Sequence, residues 1–108
     1  MIGRNALATL LVLYRTPADP AAFDRHYAET HVPLAKKMPG LRSYTISKGA
    51  VATPAGASNV HLVATLIFDS VAAIQAGLGS PEGAAAAGDL RNFASGGVDL
   101  YMFEDGPA

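Results

Sequence analysis

The sequence predicts an α+β fold of order β-α-β-β-α-β, the ferredoxin-like arrangement, with one four-stranded antiparallel sheet and its helices on one face. Three observations lead there. Two strand-length runs, Ala6 to Tyr14 and Val60 to Phe68, are almost continuously apolar, as strands buried on both faces are. Two shorter segments, Leu41 to Gly49 and Val98 to Phe103, read as further strands. A capped helical segment precedes the second strand and another precedes the fourth.

Each element has a local cause. Asn5 and Thr16-Pro17 bound the first strand. Asp19 is an N-cap, and Pro20 follows where a missing N–H costs nothing. Phe23, Tyr27, Leu34 and Met38 then form one apolar stripe, with Pro33 predicted to kink or restart the helix near Thr30–His31 and Thr30 to cap the second piece. Pro39-Gly40 ends it. Leu41 to Gly49 sets Tyr44 and Ile46 against Ser43, Thr45 and Ser47, a period of two. The Ala52 to Asn59 stretch is a polar turn. Asp69 or Ser70 caps a helix bearing Val71, Ile74 and Leu78; Gly77 and Gly79 break it, and Ser80-Pro81-Glu82 restarts it through to Phe93. Gly96-Gly97 stops that helix before the last strand. The whole is read as one domain, 1–108.

Composition narrows the function. Eight Lys and Arg against nine Asp and Glu give a net charge of −1, with no basic stripe, so nucleic acid is excluded as a partner. No run approaches the roughly 18–20 apolar residues of a membrane span, and no signal peptide is evident, so a soluble cytoplasmic chain is expected. The chain has no cysteine for a disulfide, thiolate ligand or nucleophile. Its 21 alanines and 11 glycines make a core of small side chains that leaves space for a ligand.

Two helical coverings shield one face of a four-stranded sheet and leave the other to water. Ala8, Leu10, Val12, Tyr44, Ile46, Leu62, Ala64, Leu66, Leu100 and Met102 share the parity expected under the helices. The opposite parity, including Thr9, Leu11, Thr65, Tyr101 and Phe103, is too apolar for solvent. A second copy packed face to face is the expected cover, with a chamber between the sheets.

The segment from Tyr14 to Leu41, with Asp19-Pro20, Phe23, Tyr27, His31-Val32-Pro33-Leu34-Ala35 and Pro39-Gly40-Leu41, resembles the EthD family, named for an accessory protein of ethyl tert-butyl ether degradation. Ser80-Pro81-Glu82-Gly83 and Asp89-Leu90-Arg91-Asn92-Phe93 resemble it too. The resemblance implies a dimeric α/β barrel, and work beside a cytochrome P450 system. It also brings in relatives on the same barrel that are isomerases, cofactor-independent monooxygenases or decarboxylases.

Within this frame His31 is the candidate base, with Tyr27 presenting a phenol beside it at i−4. His61 is expected to point into the chamber with Thr65, and either Tyr27 or His61 to orient the substrate. Thr9, Leu11, Thr65 and Tyr101 are the expected ligand-lining residues, for a small hydrophobic molecule. His26 falls on the polar face and reads as solvated, and Asp99 reads as an edge guard or salt-bridge partner. His26 and His31 are five apart, about 140° on an α-helix, so no metal is expected. No Gly-x-Gly-x-x-Gly follows a strand, so no nucleotide cofactor is expected either. The expected function is cofactor-free proton transfer on a small apolar or aromatic metabolite, or its carriage to a monooxygenase.

Overall fold

The computed structural model describes residues 6–108, so Asn5, the expected boundary of the first strand, lies outside the described residues. β1 (Ala8–Arg15) leads into α1 (Pro20–His26), a π turn (Tyr27–His31) and α2 (Val32–Ala35). Next come β2 (Ser43–Ile46), the small hairpin of β3 (Ala52–Thr53) and β4 (Gly56–Ala57), and β5 (Val60–Phe68). α3 (Val71–Gly79), α4 (Pro81–Phe93) and β6 (Val98–Glu104) complete the chain. The main sheet is antiparallel in the order β2-β5-β1-β6, so the two apolar strands are central, as expected. The polar turn after β2 is the β3–β4 hairpin.

The predicted caps hold the helix starts. Asp19 Oδ1 accepts from Ala22 N–H at 3.1 Å, Ser70 Oγ from Ala73 N–H at 3.0 Å, and Ser80 Oγ from Gly83 N–H at 3.0 Å. The helices α3 and α4 meet at two glycines. A Cβ on Gly83 would lie 2.0 Å from the Gly77 carbonyl oxygen, so only hydrogen fits there.

One helical expectation is corrected. The first helix does not break at Thr30, and no side chain caps its second piece. It widens instead: Val32 N–H donates to Tyr27 O, five residues back. The buried residues explain why. Phe23, Tyr27, His31 and Ala35 all face the core. Three α-helical turns take about 11 residues, and Phe23 to Ala35 is a step of 12, so one extra residue must be absorbed. The π turn absorbs it and replaces Leu34 with His31 and Ala35 in the stripe.

The sheet register sorts the two faces. Thr45, Thr65, Leu11 and Tyr101 form one row across the four strands, and Ile46, Ala64, Val12 and Leu100 the next. The second row shares its face with Leu10, Tyr14, Leu62, Leu66 and Phe68, packed on Phe23, Tyr27, Ile74, Ala86 and Phe93. The parity is therefore as expected. The helices cover the two edge strands less fully, however, and Ile46 on β2 and Leu100 and Met102 on β6 remain exposed on the helix side. On the open face Tyr101 is 54% and Phe103 44% exposed. Thr9 alone is covered there, because its Oγ1 donates to Asp105 Oδ1 at 2.7 Å and Asp105 N–H ties back to Leu7 O. Asp99 on β6 pairs with Arg15. The chain is a slab of 46 × 37 × 17 Å, whose short dimension holds one sheet and one layer of helices.

Candidate functional site

Burial under the helices gathers one polar cluster within an otherwise aromatic core. The π turn brings the rings of Tyr27 and His31 together, with centroids 5.4 Å apart and planes 28° from parallel. Tyr27 O–H is 2.6 Å from Tyr44 O–H on β2. His31 Nδ1 lies 3.0 Å from Asp89 Oδ2 on α4, and His31 Nε2 lies 3.4 Å from Tyr14 O–H on β1. A carboxylate only accepts, so Nδ1 carries the proton and Nε2 keeps its lone pair. The Tyr14 contact is long, which leaves that lone pair lightly held.

Charge and burial set the state of these groups. Burial lowers the proton affinity of His31 below the ordinary imidazole value, and the hydrogen bond and charge of Asp89 only partly oppose it. His31 is thus neutral near pH 7. Burial pushes the carboxyl of Asp89 up, but hydrogen bonds from Asn92, His26 and His31 outweigh it and hold the group below its ordinary value. The phenols of Tyr14 and Tyr27 are pushed up, chiefly by burial and then by Tyr44, so both stay protonated.

His31 opens onto a cavity of about 50 Å³ between sheet and helices. Apolar residues, among them Leu10, Val12, Ala64, Ala86 and Leu90, make most of its wall, with Tyr14, Tyr44 and His31 as the polar groups. An apolar cavity near 150 Å³ holds a benzene, so this one takes a few heavy atoms, or one end of a larger molecule.

This geometry divides the predicted residues. Tyr27 and His31 come together under the helices. Leu11, Thr65 and Tyr101 share the open-face row, and Thr9 lies on the same face beneath Asp105; none of the four lines the cavity at His31. His61 departs from its expected direction. The β1–β5 register slips between Tyr14 and Arg15, with Val60 paired to Arg15 and Leu62 to Tyr14, which leaves His61 as the extra residue of a bulge. Its ring turns to the helix side, edge-on to Phe23 at 4.8 Å, with Nε2 2.7 Å from Asp24 Oδ1.

Four members of the site, Tyr14, Tyr44, Asp89 and His26, escaped the sequence reading. Tyr14 continues the parity of Ala8, Leu10 and Val12 one step further. Asp89 sits on the buried stripe of α4 between Ala86 and Phe93, and an acid on an apolar stripe is the signal that could have found it. His26, read as solvated, is partly exposed but also tied to Asp89. Across a π turn, residues five apart stand as residues four apart do on an α-helix, so His26 and His31 reach the same carboxylate. Both spend a ring nitrogen on Asp89, and among the described residues no group of three His, Asp or Glu is placed to hold a metal ion.

The EthD domain family matches residues 15–97. An uncharacterized 11.0 kDa protein from the thcB–thcC intergenic region of Rhodococcus erythropolis is 40% identical over 94 residues, 87% of this chain and 90% of that protein. The crystal structure of an EthD family protein from Bacillus halodurans is similar at 33% identity and a TM-score of 0.84, over 92% of this chain and 98% of that one. More distant structures share the fold. A dimeric ferredoxin-like protein of unknown function from Thermobifida fusca matches at 15% identity and a TM-score of 0.67, over 93% of this chain and 92% of that one. A cofactor-independent oxygenase from Streptomyces nogalater matches at 16% and 0.64, over 95% of each chain.

Proposed function

The chain belongs to the EthD family, and from that premise we propose that it takes a small apolar or aromatic molecule under its helices and moves a proton on it without a cofactor, His31 acting as the base. One observation carries the reading. His31 is buried and neutral, its Nδ1–H is fixed on Asp89, its Nε2 is held only by the long contact from Tyr14 O–H, and the residue lines an apolar cavity. A general base needs that combination: a lone pair aimed at the substrate, a partner that stabilises the imidazolium once formed, and water kept out. Tyr14 O–H, protonated and beside Nε2, is placed to donate a hydrogen bond to charge developing on the substrate. Tyr27 holds Tyr44 and stacks His31 in place.

In this reading the molecule works as a homodimer closed through the open sheet face, where Leu11, Thr65 and Tyr101 meet the second copy rather than the ligand. The Thermobifida protein is described as dimeric, and the Streptomyces oxygenase as cofactor-independent, which agrees with the reading. A second reading, carriage of a hydrophobic molecule to a monooxygenase system, is favoured by the nearly unbroken apolar wall of the cavity.

A thermal-shift screen over lactones, quinones and anthrones tests both, because a ligand of the folded state raises Tm. The catalytic reading expects a hit that is turned over, with His31→Ala keeping the fold but losing turnover by roughly a hundredfold or more. Binding with no turnover in wild type, unchanged in His31→Ala, selects carriage. Turnover that survives His31→Ala overturns the assignment of the base.

A further inference from the structure

His31 is not the only imidazole that holds Asp89. His26 Nε2–H reaches the carboxylate from the outer side of the helices, 2.9 Å from Oδ1 and 3.0 Å from Oδ2, and Asn92 Nδ2–H donates to Oδ1 at 3.0 Å. The two histidines flank Phe93, with centroid distances of 5.0 Å for His26 and 4.8 Å for His31. Asp89 is 6% exposed, but the His26 side chain is 28% exposed and lines an outer groove of about 450 Å³. The buried carboxylate that holds the cavity-lining His31 is therefore shared with a histidine that solvent reaches.

Building on the role assigned to His31, we propose that His26 is a positioning residue for that base, pinning the Asp89 carboxylate from the groove so that His31 keeps its proton on Nδ1 and its lone pair on Nε2. Whatever share of the Asp89 charge His26 holds is lost to the His31 imidazolium, and His26 bears on His31 in that direction. The other groups around the pair are Tyr14 from β1, Tyr27 and Glu29 from the π turn, Arg25 from α1, and Arg91 and Asn92 from α4.

NMR of the imidazole nitrogens reads His31 directly, with no substrate, in wild type, His26→Gln and His26→Leu between about pH 5 and 8. In His26→Leu the carboxylate keeps only His31 and the neutral Asn92 amide as donors, so the proton affinity of His31 rises about threefold, half a pH unit in its midpoint. His26→Gln keeps a neutral donor on Oδ1, so the Nδ1–H tautomer persists and the midpoint moves less. An unchanged His31 midpoint and tautomer in both variants overturns the proposal, and should His26→Leu not fold, an unchanged midpoint in His26→Gln does so alone. A shifted His31 in a chain that turns nothing over upholds the positioning and defeats only the catalytic reading.

Discussion

Asp89 is a buried acid with three side-chain donors, and its chemistry is a matter of counting them. His26, His31 and Asn92 all donate to its two oxygens. An Asn at this position has one acceptor oxygen and presents an N–H₂ to donors, so Asp89→Asn leaves at least one buried N–H without a partner. That costs about 1–3 kcal/mol, to be read from urea unfolding at pH 7. Acid should destabilise the wild type in two steps. His31 binds a proton less readily folded than unfolded, so stability falls as pH drops below its ordinary 6.5 and through its lower folded value. Asp89 is held below its ordinary 3.8, so its contribution is present above that pH and lost as pH falls through its lower folded value. In Asp89→Asn the lower step vanishes and the upper one grows, because burial then acts on His31 with no carboxylate opposing it. A wild type more stable at pH 5.5 than at pH 7 would contradict the direction assigned to His31.

At the scale of elements, legibility followed the hydrogen-bonding chemistry of short motifs. Asp19-Pro20, Ser70 and Ser80-Pro81 start helices because their oxygens reach backbone N–H groups two or three residues on, a local rule that a sequence displays. The π turn follows from a non-local constraint, the need for Phe23, Tyr27, His31 and Ala35 all to face the sheet. Pro33 marked the irregularity but not its kind. The His26–Asp89–His31 bridge was hidden for the same reason, since an α-helical phase sets the two imidazoles about 140° apart. The bulge that turns His61 toward Asp24 depends on the register with β1, which no single strand encodes. The α3–α4 corner makes a sharper claim. A methyl group on Gly83 collides with the Gly77 carbonyl and the Leu78 backbone, neither of which is a movable side-chain tip. Gly83→Ala should therefore cost about 3 kcal/mol and lower Tm by roughly 15 °C, despite the usual gain from replacing glycine in a helix. A melt unchanged within about 2 °C would mean that the two helices separate freely.

For the molecule as a whole, the argument from an uncovered sheet reached the face that lies open, while the cavity at His31 lies on the other side of the sheet. Counting two coverings against two faces was enough to predict that Leu11, Tyr101 and Phe103 lie uncovered. It could not reveal a cavity between sheet and helices, because that space comes from small residues on separate elements, Ala64 on β5 and Ala86 on α4. The open face is now the place to test assembly. Leu11 lies in the row Thr45, Thr65, Leu11, Tyr101 on a central strand, so a facing copy would bury it near the middle of the contact. Leu11→Asp would then place an unpaired carboxylate between two apolar sheets, at a cost of about 3–5 kcal/mol of association, a loss of some hundredfold or more. In the separate chain Leu11 points away from the helix-side core, so the substitution should spare the fold and the His31–Asp89 pair. Gel filtration and sedimentation at micromolar concentration should show wild type as a dimer and Leu11→Asp as a folded monomer with the same circular dichroism. A wild type that elutes as a monomer would leave the apolar face to some other partner, and a variant still dimeric would move the contact to the exposed edge strand β6, where Leu100 and Met102 offer the alternative surface.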